Sequence, residues 1–335
     1  MNKILKKLPK DTQKKLKKKE QTEKVSLMLA TLTKDYFSDP EWLYERKLDG
    51  ERCLLYKKNG EVKMISRNEK LQNDYYPEIS KALNDFPGDF ILDSELVTFD
   101  GKITSFSKLQ NRMHVKHPSE ELIKKYPVYA YVFDILYLDD YSLQELPLRK
   151  RKFILKNAFS YHSFLRYLPH RNKEGEKYLK KACDKGWEGI IAKDANSEYV
   201  HSRSKKWLKF KCAHEQEFVI GGYTAPQGSR IGFGALLIGY YEDDDLKYAG
   251  KVGTGFDDDM LEFLHEHMKK RQTDHCSFRH CSESEDDITW IKPELVAEVA
   301  FTEWTNADKL RHPRFKGLRK DKDAREVHRE DTNGG

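Results

Sequence analysis

Long apolar runs are missing from this sequence. The longest, Val128 to Leu138, is broken by Asp134, and a bilayer-crossing helix needs about 20 apolar residues, so a membrane-spanning chain is excluded. A secretory leader is missing too. The N-terminus is basic but carries no apolar h-region, so an intracellular protein is expected, cytoplasmic and nucleoid-associated if bacterial. Cysteine is scarce: Cys53, Cys183, Cys212, Cys276 and Cys281 are the only five, odd in number and mostly far apart. That argues against a disulfide framework and fits a reducing compartment. There is no GxxxxGK[ST] loop either. Gly221-Gly222 and Gly228 to Gly234 read as turns and bulges of β-structure, which leaves a P-loop NTPase unsupported.

What is present suffices for two packed domains. The 335 residues are 38% hydrophobic and 12% aromatic, and domains run to roughly 150 residues. Lys plus Arg number 61 against 55 Asp plus Glu, a formal +6, but the distribution says more than the total. Residues 1–24 hold ten lysines and three acids, a local +7, so the rest of the chain sums to about −1. Such an arm is either a solvated tail or a sequence-blind, salt-sensitive tether to a polyanion.

From Trp42 onward strand-like and helix-like pieces alternate. Arg52 to Tyr56 and Val62 to Ser66 flank Asn59-Gly60, a two-residue hairpin signal. Val128 to Leu138 and Gly189 to Lys193 read as buried strands. Between them Tyr178, Leu179, Ala182 and Cys183 recur at helical spacing, with Gly186 placed to stop the helix. After Cys212 the texture turns to strands and Gly-rich turns: Phe218 to Tyr223, Gly234 to Tyr241 and Leu246 to Val252. Asp257 then caps a helix with Met260, Leu261, Leu264 and Met268 on one face. A small β-barrel carrying one helix follows, with a boundary near 212–216, and Gln272 to Asp287 reads as a loop.

The sharpest local signal is Glu45-Arg46-Lys47-Leu48-Asp49-Gly50-Glu51-Arg52, a lysine between a strand and a tight turn. Neighbouring cations or desolvation can lower the pKa of such a lysine enough to make it a nucleophile. Further segments follow in order: Ser66-Arg67-Asn68, Asp93-Ser94-Glu95, Phe133-Asp134-Ile135-Leu136-Tyr137, Glu188 to Lys193, Lys206 to Lys211 and Arg319-Lys320-Asp321-Lys322. With these the sequence, over about residues 26–328, resembles the covalent nucleotidyltransferases and within them the ATP-dependent DNA ligases. It is most similar to the ligase domain of the bacterial end-joining ligases.

The resemblance implies an α+β nucleotidyltransferase (ATP-grasp-like ligase) domain over residues 25–213 and an all-β OB-fold domain over 214–328, flanked by the basic arm 1–24 and a tail at 329–335. It also implies an ATP-dependent DNA ligase of DNA repair or end joining. Lys47 attacks the α-phosphate of ATP, AMP passes to a 5′-phosphate of nicked duplex DNA, and a 3′-hydroxyl displaces it. In such in-line transfers positioning and charge neutralisation supply most of the catalysis.

Each residue then has an expected role. Lys47 is the nucleophile. Glu45, two residues earlier on the same strand face, accepts from the adenine amino group. Arg52 and Arg67 fork onto phosphate or ribose oxygens. Glu95 binds the ribose hydroxyls, although Ser94 stands where the family usually has Gly, which would alter the backbone of that turn. Phe133 stacks on the base. Glu188 holds Mg²⁺ or Mn²⁺, with Asp49 as a second carboxylate. Lys209 and Lys211 share a strand face with Trp207 and neutralise the α-phosphate. Arg319 and Lys322, beyond the barrel, orient the leaving pyrophosphate.

The rival readings within the enzyme class are an RNA ligase and a GTP-using capping enzyme; outside it stands a non-catalytic nucleic-acid-binding OB-fold protein. NAD-dependent ligases are expected to need modules for which this length leaves no room. The polymerase and nuclease domains fused to end-joining ligases are absent from this sequence, so an end-joining role calls for separate partners, a Ku-like end-binding protein among them. A monomer is expected. His275, Cys276, His280 and Cys281 offer four soft ligands, but at no spacing typical of tetrahedral zinc.

Overall fold

Asn59 and Gly60 both take positive φ, 51° and 84°, as a turn matched to strand twist requires. They join the strands Glu51–Lys58 and Glu61–Ser66 into an antiparallel pair. This hairpin is the edge of a larger sheet in a computed structural model that describes residues 2–22, 24–113, 115–212, 214–228, 230–279 and 287–330. The chain divides into two units, Met1–Cys212 and Ala213–Gly335.

The first unit is α+β and holds two main sheets. One runs Lys17–Lys18, Tyr141–Ser142, Tyr129–Leu138, Phe90–Val97, Glu51–Lys58, Glu61–Ser66, with Leu165–Tyr167 added in parallel to Tyr129–Leu138. The other runs His170–Asn172, Trp42–Lys47, Gly189–Asp194, Arg203–Lys211, Leu29–Leu32. Helices Pro77–Leu83, Phe106–Met113 and Leu148–Ala158 bury Ile79, Leu83, Phe106, Leu109, Ile154 and Leu155 against the first sheet's core. Asp134, which breaks the longest apolar run, is fully buried there and takes hydrogen bonds from Arg151 at 2.8 and 3.0 Å. No helix among the described residues is long and apolar enough to cross a membrane.

Two expectations about this unit need correction. The basic segment is not a free tail. Leu5 and Leu8 are buried in the core, Lys17–Lys18 pairs with Tyr141–Ser142, and the buried Gln21 amide donates to the carbonyls of Lys57 and Phe90 at 3.1 and 2.8 Å. The four apolar residues scattered among the lysines (Ile4, Leu5, Leu8, Leu16) supply the anchoring that net charge alone conceals. Cysteine pairing is the second. Cys183 and Cys212 form a disulfide, one link rather than a framework. Strand Arg203–Lys211 runs antiparallel to Gly189–Asp194, and its end returns to the start of that strand, where Cys212 N–H donates to Glu188 O at 3.0 Å, beside the Gly175–Asp184 helix that carries Cys183.

The second unit is β-rich. Its main sheet is antiparallel in the order Asp245–Val252, Leu236–Glu242, His214–Thr224, Ile288–Phe301, Arg314–Leu318. Among the described residues the two outer strands do not pair, so the ladder is open and no closed barrel is seen. The Asp257 side chain accepts from Met260 N at 2.9 Å and caps the helix Asp258–Lys269, which buries Leu261, Leu264 and Met268 in the sheet's core.

Candidate functional site

Strand register assembles the centre of the first unit. Trp42–Lys47 and Arg203–Lys211 both pair antiparallel with Gly189–Asp194. Lys47 lies opposite Gly189, which lies opposite Lys211; two residues along, Glu45, Ile191 and Lys209 form the next row, and Leu43, Lys193 and Trp207 the third. Residues opposite one another share a face, as do residues two apart, so the face that carries Lys47 also carries Glu45, Lys193, Trp207, Lys209 and Lys211. Gly189 leaves the space between Lys47 and Lys211 without a side chain, and a Cβ there would stand 2.1 Å from the Phe210 carbonyl. Lys47 is ion-paired with Glu188, whose side chain is only 4% exposed.

The turn after Lys47 is held by contacts its residue types explain. A Cβ on Gly50 would lie 2.2 Å from the carbonyl of Leu96, so the chain passes strand Phe90–Val97 only with glycine there. Asp49 N–H donates to Thr104 Oγ1 at 3.1 Å, and Asp49 Oδ2 accepts from Phe106 N, at the start of the helix Phe106–Met113, at 3.1 Å. The carboxylate expected as a second metal ligand thus caps a helix.

Glu45 is fully buried, and its two oxygens meet Lys152 Nζ and Lys193 Nζ, each at 2.6 Å. Burial opposes its ionisation, but the two ammoniums outweigh burial and hold the carboxyl below its ordinary range. Lys152 also donates to the carbonyls of Phe133 and Leu168 at 3.1 and 2.9 Å; burial, with the Lys193 charge, brings its pKa down. His170, opposite Glu45 on the neighbouring strand, is pushed down to about 4 by burial and then by the Lys152 cation.

Arg52 donates to Asp93 through Nε at 2.7 Å and Nη2 at 2.6 Å, and to Met28 O at 3.0 Å. The Tyr199 hydroxyl donates to the same Asp93 at 2.7 Å. The guanidinium expected on phosphate or ribose is therefore oriented by a buried carboxylate. Phe133 is buried, with Arg52 and Lys193 over its ring at 4.8 and 4.2 Å and Trp207 edge-on at 6.2 Å. Glu95 lies opposite Arg52 in strand register, and Arg67 occupies the turn after Ser66. Ser94 does not disturb a turn: it lies within a strand and its hydroxyl donates to Cys53 O at 2.7 Å. In the second unit, Arg319 is held by Asp321 at 2.9 and 2.8 Å and by Glu298 at 2.8 Å, and Lys322 by Glu217 at 2.9 Å. His280 and Cys281 lie outside the described residues.

Sequence reasoning assigned no role to Asp93, Lys152 or Lys193. For Lys193 half of the signal was available, since it follows Gly189 and Ile191 at period two on a strand and shares their face; that Glu45 lies on the same face came from strand register. Lys152 had none, being brought in by a helix far away in sequence.

Residues 27–211 match the family model of the ATP dependent DNA ligase domain, and residues 229–322 that of the ATP dependent DNA ligase C terminal region. The chain is similar to the multifunctional non-homologous end joining protein LigD of Pseudomonas aeruginosa, 34% identical over 296 residues, covering 86% of this chain and 34% of that protein. It is similar to the same-named protein of Mycobacterium bovis, 35% identical over 300 residues, covering 87% and 38%. The chain thus spans little more than a third of the length of these relatives. Among solved structures it resembles a mycobacterial DNA ligase D complexed with ATP and MES, at 33% identity and TM-score 0.68, covering 90% of this chain and 97% of that one.

Proposed function

The chain belongs to the ATP-dependent DNA ligases, enzymes that seal nicks through a lysyl-AMP intermediate, and we propose that Lys47 is the lysine that carries the AMP. The carrying observation is the Lys47–Glu188 ion pair on a sheet face shared with Lys209 and Lys211. Lys211, one strand beyond Gly189 in the row of Lys47, and Lys209 in the next row are placed to neutralise an α-phosphate brought to that face. Attack forms an N–P bond at Lys47 and expels pyrophosphate. The AMP then passes to a DNA 5′-phosphate, and a 3′-hydroxyl forms the new phosphodiester as AMP leaves.

Phe133 and Trp207 supply the aromatic walls of the base site, Glu45 the acceptor for the adenine amino group, and Arg52, Arg67 and Glu95 the ribose and phosphate contacts. A divalent cation, Mg²⁺ or Mn²⁺, fits the nearly buried Glu188 carboxylate together with substrate phosphate oxygens, and supplies charge neutralisation there. Asp49, whose Oδ2 accepts from Phe106 N, would offer its other oxygen as the second carboxylate. In the second unit, which we assign to the OB-fold class, Arg319 and Lys322 orient the pyrophosphate once released from their carboxylate partners. The substrate is nicked duplex DNA, and likeness to end-joining relatives supports a role in break repair with a separate end-binding partner. Incubation with labelled ATP or GTP and then a singly nicked duplex, wild type beside Lys47→Ala, tests the reading. Labelling of wild type by ATP alone, sealing, and loss of both in the variant are expected; a labelled Lys47→Ala protein overturns it.

A further inference from the structure

The N-terminal segment separates its residues by chemistry. Leu5 and Leu8 are buried, whereas all ten lysines between Lys3 and Lys24 are exposed. Three of them meet acids: Lys14 with Asp11, Lys17 with Glu145, Lys24 with Glu69. The other seven make no ion pair among the described residues. The backbone beneath them is fixed at several points. Asn2 donates to Asp139 at 2.9 Å, Lys19 N–H donates to Asp140 O at 2.9 Å, and Gln21 is anchored as described. The segment then runs to Met28, whose carbonyl takes a hydrogen bond from Arg52 of the candidate site.

Seven exposed cations without an ion pair on an anchored backbone make a positively charged patch that attracts a polyanion. The patch is not carried on a mobile tail, because the segment is tied into the core at both ends. Duplex DNA, with a phosphate charge every ~1.7 Å of axis, is such a polyanion.

We propose that this lysine face is a contact surface for the duplex flanking the nick. The proposal rests on the ligase reading for the identity of the polyanion. Its contacts go to phosphates and are blind to sequence.

The test is a variant with Lys3, Lys6, Lys7, Lys10 and Lys15 changed to Gln, all exposed and none in the reactive centre. Binding to nicked duplex is measured from about 50 to 200 mM salt without ATP, and self-adenylylation separately. The slope of log Kobs against log salt is expected to flatten by about 2 to 4.5, at ~0.9 per phosphate contact, with adenylylation unchanged. An unchanged slope and affinity overturns the proposal, as does loss of binding to phosphatidylserine vesicles with DNA binding intact. A wild type that binds duplex with the steep slope yet never adenylylates would sink the enzymatic reading and leave this surface standing.

Discussion

Replacing Glu45 by Gln would leave the buried ammoniums of Lys152 and Lys193 facing one another without the carboxylate that now lies 2.6 Å from each. Breaking a buried ion pair from one side costs about 3–5 kcal/mol, because a charge is stranded. Here two are stranded, so the upper part of that range applies. Lys193→Met is the informative contrast: it leaves Glu45 balanced by Lys152 and puts an apolar chain between the rings of Phe133 and Trp207, 4.2 and 4.0 Å from the present Nζ. A cost under about 2 kcal/mol is expected there. Amide exchange in the strand Trp42–Lys47 reports the first unit alone. It should lose several kcal/mol of protection in Glu45→Gln at pH 7 and recover part of it as pH rises, because the Lys152 ammonium, which burial holds below its ordinary range, sheds its proton more readily. If Lys193→Met proves the costlier change, or Glu45→Gln costs under 1 kcal/mol, the charge-balance account of this cluster fails.

Leu5→Ala should cost about 2–5 kcal/mol, the penalty for emptying a fully buried leucine site; a midpoint in urea indistinguishable from wild type would show the N-terminal segment to be dispensable packing. Acid should destabilise the first unit. The pKa of His170 is about 4 in the fold against an ordinary 6.5, so between those values the unfolded chain takes up a proton that the fold refuses, and stability falls with pH across that window. The depressed Glu45 carboxyl adds a loss as pH drops below about 4.5. A urea midpoint that does not move between pH 7 and 5, or an equal acid loss in His170→Gln, would contradict this assignment.

Short-range regularities were legible in the amino-acid order. The Asn59-Gly60 turn, the Asp257 cap, the buried strand through Phe133 and the Lys47 segment each depend on neighbours a few residues apart, where steric and hydrogen-bonding preferences act directly. Strand alternation even implied that Glu45 and Lys47, or Lys209 and Lys211, look the same way. Partnership across the fold was not legible. That Lys152 arrives at Glu45 from a helix, that Asp93 rather than a ligand orients Arg52, that Asp49 caps a helix, and that leucines pin a lysine-rich segment to the core are outcomes of register between distant strands and of which apolar residues find a common interior. Composition records how many charges a chain has; desolvation and distance, which exist only once the chain is packed, decide what each charge does.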